Sequence, residues 1–179
     1  MALTEHSSTS KQSASQSYSV SRQHILEKYA QIISGSSTGL FVALTSEPLS
    51  DAAKNALTKT AESFNYGADP VTYVDVSGLE KFDNRGPKNR DETNKAASTN
   101  DQLFEIVEGL DPVCLVTCDD KATHLLTEAY RTQIMPMEPA RVFGRSAAPL
   151  NNIDTMLETQ KGKAHLWKVL RTLPHFRAN

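Results

Sequence analysis

Apolar residues recur with two different periods along the chain, and the switches between them outline its elements. Ile25, Tyr29 and Ile32 share one face of a helix predicted over Arg22–Ile33, with Gly35 following as its stop. Leu40–Leu44 is a short apolar run between Gly39 and Thr45-Ser46, the pattern of a strand buried on both faces. Beyond Pro48, Ser50 is placed to cap a helix whose stripe is Ala53, Leu57, Ala61 and Phe64. Val71–Val76 is β-branched and aromatic, follows Pro70 and stops at Gly78, so it reads as a second strand.

From Glu80 to Asn100 the only large apolar residue is Phe82, which makes the stretch too polar to bury and long for an idle connection. Helical spacing returns over Asp101–Glu108, with Gly109 as the expected stop. Val113–Cys118 is a third strand, and Asp119-Asp120 can cap the helix predicted over Lys121–Arg131. Ala140–Phe143 reads as a fourth strand ended by Gly144, followed by a helical turn near Asn152–Leu157. In the last helix Leu166, Val169, Leu170 and Leu173 form a stripe stopped by Pro174, with Trp167 expected to pack inward. Parallel strands need helical crossovers, so this alternation predicts an α/β fold: three layers, α/β/α, with a mostly parallel four-stranded central sheet.

Composition changes the picture at the N-terminus. Eleven of residues 1–19 are Ser, Thr or Gln, which predicts a disordered tail ahead of a single domain over residues 20–179. A net charge of -2 gives no whole-molecule attraction to polyanions, so any nucleic-acid binding must use a local patch. No apolar run is long enough for a membrane helix and the N-terminus is polar, which predicts a cytoplasmic protein without membrane contact. Cys114 and Cys118 lie about 13 Å apart along one strand against a disulfide limit of roughly 7 Å between Cα atoms, so they read as buried thiols. The five histidines are scattered and the glycines of Gly35–Gly39 precede a strand, so neither a metal site nor a cofactor is expected.

Ligands of a doubly wound sheet collect at the carboxyl ends of its strands. Those positions hold Thr45, Ser46 and Glu47, then Asp75 and Ser77, then Asp119 and Asp120, then Arg145 and Ser146. Glu47 and Asp75 are the candidate catalytic acids, while Asp119-Asp120 reads as a helix cap. Charge is uneven: seven acids oppose Lys121 alone between Asp101 and Glu128, whereas no acid follows Glu158 and Lys161, Lys163, Lys168, Arg171 and Arg177 do. That distribution predicts a dipolar molecule with a basic last helix.

Three segments resemble the uracil-DNA glycosylase superfamily, especially its compact bacterial and archaeal branch. Asn84-Arg85-Gly86-Pro87-Lys88-Asn89-Arg90-Asp91 is similar to that branch's loop after the second strand, without its cluster cysteine. Leu110–Val116 followed by Ala122–Leu126 resembles its strand-then-helix segment, and Ser146–Leu173 its closing loop and Trp-bearing helix. The last segment is also similar to the non-catalytic psi subunit of the bacterial clamp loader. Where active relatives carry a Gly/Glu/Pro-rich water-positioning loop, this chain has Thr45-Ser46-Glu47-Pro48; where they carry a His-Pro motif, it has Gly144-Arg145-Ser146-Ala147-Ala148.

The resemblance therefore implies a degenerate, non-hydrolytic glycosylase-like protein that binds DNA or a replication or repair partner. Arg85, Lys88, Asn89, Arg90, Arg145 and Ser146 would be the nucleic-acid or ligand contacts, and the basic C-terminal helix the contact for a protein partner. An active DNA N-glycosylase using Glu47 or Asp75, with Arg145 stabilising the departing base, is one alternative. A small-ligand or nucleotide-binding module using the same strand ends is the other.

Overall fold

A computed structural model of the chain describes residues 19–82 and 98–176. The expected tail lies outside the described residues except for Ser19, which already belongs to a helix, α1, over residues 19–28. Arg85, Lys88, Asn89 and Arg90 also lie outside them.

The sheet is mixed and has six strands: β1 (Ile33–Gly35), β2 (Phe41–Thr45), β3 (Val71–Asp75), β4 (Cys114–Thr117), β5 (Ala140–Val142) and β6 (Arg145–Pro149), in the order β1-β3-β2-β4-β6-β5. The central β3, β2, β4 and β6 run parallel, and the edge strands β1 and β5 run antiparallel to their neighbours. This corrects the four-stranded expectation at both edges. At one edge the predicted first helix is too long, because the chain leaves α1 after residue 28 and Ile33 pairs with Val74. Three residues carry no period-2 signal, and β1 exists only because β3 offers it a ladder.

At the other edge Ala140–Val142 is only the outer arm of a hairpin, and the fourth parallel strand is β6. Phe143 and Gly144 form its two-residue turn with φ of 47° and 85°, the left-handed pair that matches strand twist. Arg145-Ser146-Ala147-Ala148-Pro149 lacks β-branched residues, so propensity alone does not reveal it. Its alanines are nevertheless buried between the two helical layers.

Helices cover both faces: α2 (Asp51–Ser63), α3 (Leu79–Phe82), α4 (Thr99–Leu110), α5 (Asp120–Tyr130), α6 (Ile153–Glu158) and α7 (Gln160–Leu170). The pleat of β2 sorts its side chains. Val42 and Leu44 join Ile25 of α1, Leu103 and Ile106 of α4 and Leu126 of α5, while Phe41 and Ala43 join Leu57 of α2 and Leu166 and Leu170 of α7. Ser50 and Asp119 cap their helices as the sequence predicts, and Asn152 does the same for α6, each accepting from a backbone N–H three residues on. Helix α4 runs past the expected stop at Gly109, because that glycine faces Ile25; Asp111, in the left-handed region, ends it instead. Among the described residues no helix is long and apolar enough to cross a membrane.

Candidate functional site

The parallel register sets Thr45 of β2 opposite Asp75 of β3, and β4 leads directly into Asp119, so three of the four predicted strand ends do meet at one edge. Their acids are mostly engaged in backbone geometry. Asp119 accepts from Ser46 N at 2.7 Å, Ser46 Oγ at 2.8 Å and Ala122 N at 2.8 Å, capping α5 while fastening the loop after β2. Asp75 accepts from Ser77 N at 2.9 Å, Ser77 Oγ at 2.6 Å and Gly78 N at 3.3 Å, which caps the short turn after β3. Glu47 is exposed and borders a cleft of about 220 Å³ with Ile32, Ser34, Lys54, Tyr73 and Asp75. Burial, more than any neighbour, pushes the Tyr73 phenol up, so it faces the cleft as a neutral group. Among the described residues no group of three His, Cys, Asp or Glu is placed to hold a metal ion.

Arg145 and Ser146 are not part of this edge. They open β6, where Ser146 pairs with Cys114 at the start of β4, and so lie at the amino end of the parallel strands. The side chain of Arg145 is 13% exposed and donates to both Glu108 oxygens at 2.7 and 3.0 Å and to Asp111 at 2.9 Å. Tyr130 donates to the same Glu108 at 2.7 Å. Burial alone would lower the Arg145 pKa, but the two carboxylates outweigh it and raise it. A guanidinium bracketed by two acids is neutralised in place, so Arg145 does not present a free charge to a phosphate.

Three cations lie on α7 and a fourth, Arg171, at its C-cap. No protein-family model matches this chain, and no curated protein matches it. The residues of α7 must therefore speak for themselves. Lys161, Lys163, Lys168 and Arg171 are all exposed, and none forms an ion pair with an acid among the described residues. Trp167 is 44% exposed, against the expectation that it packs inward. Leu166, Val169 and Leu170 take the core-facing stripe, and Phe64 already fills the space beneath, stacked on His175 at 3.8 Å and tilted against Trp167 at 6.0 Å.

Two clefts flank the helix. One of about 300 Å³ lies beside its first turn, bordered by Met137, Asn151, Met156, Lys161 and His165. The other, of about 200 Å³, lies between α2 and α7. Neither is readable from the sequence, since each needs elements brought together from distant segments. The nearest signal was Lys163, Trp167 and Arg171 at spacings of four, which places them along one side of a helix.

Proposed function

We propose that the protein works by binding and not by hydrolysis: a degenerate glycosylase-like protein whose partner is DNA or a replication or repair protein. The observation that carries this reading is the uncompensated basic face of α7 around a half-exposed Trp167. A cluster of unpaired cations is the usual footprint of a polyanionic or acidic partner. The finer expectations belong to the same proposal: Arg85, Lys88, Asn89 and Arg90 as further contacts, and the cytoplasm as compartment. The capping duty of Asp119 supports the non-hydrolytic side of it, since both of its carboxylate oxygens are taken up by Ser46 and Ala122.

The test is a titration against fluorescent single- and double-stranded oligonucleotides, with and without uracil, at low and physiological salt. Binding that weakens steeply as salt rises, without base release, is the expected result. A protein partner captured through α7 in place of DNA fits the second half of the proposal. Glu47 supports one competing reading, because it is exposed beside a cleft and the structure gives its carboxylate no hydrogen bond. Uracil release by the unmodified protein, abolished in Glu47→Gln, would replace binding with catalysis.

A further inference from the structure

The groove between α2 and α7 has a floor and a rim of different chemistry. Ala56, Leu157, Leu166 and Leu170 form an apolar bed, Trp167 stands as one wall, and Lys163 lies at the edge. Thr60 also lines it, but its hydroxyl donates to Ala56 O at 2.7 Å within its own helix. That leaves the Thr60 oxygen as an acceptor in a lining whose other α2 and α6 side chains are apolar, so a nucleobase buried there would leave most of its polar edge unpaired. Trp167 leans on Phe64 and is the groove's single aromatic platform, where single-strand binders line up several. The volume of about 200 Å³ is below the roughly 300–1,000 Å³ of sites that enclose a drug-sized ligand, yet suits one large apolar side chain.

The rim supplies the second half of the specification. Lys163 borders the groove itself, one turn before Trp167; Arg171 lies one turn after it, about 6 Å along the axis, and Lys168 is next to Trp167 in sequence, both outside the lining. None of the three forms an ion pair with an acid among the described residues. We infer that this groove docks an acidic peptide carrying one large apolar side chain, the anchor seated against Trp167 and its flanking carboxylates on Lys163, Lys168 and Arg171. The inference rests on the reading that the protein acts by binding, and it names the chemistry of the partner.

Trp167 is the chain's single tryptophan, so its emission reports the site in the full-length protein without a label. The probes are short synthetic peptides of Asp and Glu around one Phe or Leu. Their controls carry Ala at the anchor or Asn and Gln for the acids, and oligothymidylate serves as the nucleic-acid arm. A saturable emission change with the anchored acidic peptides alone is expected. It should weaken about tenfold or more in the double variant Lys163→Glu, Arg171→Glu, both exposed positions whose exchange leaves the unfolding midpoint in place.

Equal binding of the Ala-anchor peptide would reduce the effect to bulk charge attraction and overturn the groove. Oligothymidylate binding without peptide binding would overturn the peptide while leaving the binding reading intact. A concentration-dependent dimer in sedimentation, lost in the same double variant, would assign the groove to a second copy of the chain and overturn the peptide. No response to any probe would overturn the inference, and the labelled-oligonucleotide titration then decides the broader reading independently.

Discussion

Gly109 lies inside α4, where glycine costs about 1 kcal/mol of helix propensity relative to alanine. A Cβ at that position would stand 2.2 Å from Ile25 Cγ1, so the missing side chain is what lets α1 settle on α4. Gly109→Ala is expected to gain up to that propensity and lose about 1–3 kcal/mol to overpacking, for a net destabilisation of about 1 kcal/mol. Urea unfolding of the two proteins measures it; a stabilised variant would mean that α1 does not pack there. Cys114 and Cys118 illustrate the same scale in chemical terms. Burial pushes the Cys114 thiol up to about 12 and raises that of Cys118 as well, which suits small core hydrophobes and not nucleophiles.

At the scale of elements, Asp119 joins three of them. It caps α5, and through Ser46 it holds the loop between β2 and α2 against the end of β4. Asp119→Ala removes the cap and leaves the Ser46 N–H without its acceptor, which should cost about 2–3 kcal/mol. Asp119→Asn keeps a capping oxygen and should cost visibly less in the same thermal unfolding series. Equal losses for the two substitutions would argue that charge, and not capping geometry, is what Asp119 contributes. The engagement of both its oxygens takes Asp119 itself out of the acids that face the cleft beside Glu47 and Asp75.

At the scale of the whole molecule, the sheet divides the charged helices. Acid-rich α4 and α5 cover one face, with Lys28 of α1 beside them, and α7 with its lysines covers the other, beside Asp154 and Glu158 of α6. The acidic face is closed by α1 and the turn after it, where Lys28 and Tyr29 donate to Glu105 of α4 at 2.5 and 2.8 Å. Burial would raise the Glu105 carboxyl, but these partners outweigh it and hold it below the ordinary value. The unfolded chain therefore binds this proton more readily than the folded one. The contribution is present above the unfolded glutamate value of about 4.3 and is lost as pH falls through the lower folded value. Denaturation followed across acid pH should show stability declining in that window, with a shallower decline in Glu105→Gln.

Helix α2, strands β2 to β4 and helices α5 to α7 were legible from the chain itself, because their signals are local. Stripes such as Ala53-Leu57-Ala61 and caps such as Ser50 and Asp119 act within a turn or two of backbone, so neighbouring residues suffice to specify them. The basic character of α7 was legible for the same reason. What only the tertiary structure decided is everything that depends on a distant partner. Strand β1 forms on β3, α4 is carried past Gly109 by Ile25, and β6 takes the inner place that β5 would have had. Arg145 meets Glu108 across 37 positions of sequence, at the opposite edge from where its number suggests. The exposure of Trp167 and the groove beside it follow from Phe64 and α2, about 100 residues upstream. Contacts of that kind are set by how buried faces fit together in space, and no periodicity along a single chain encodes that fit.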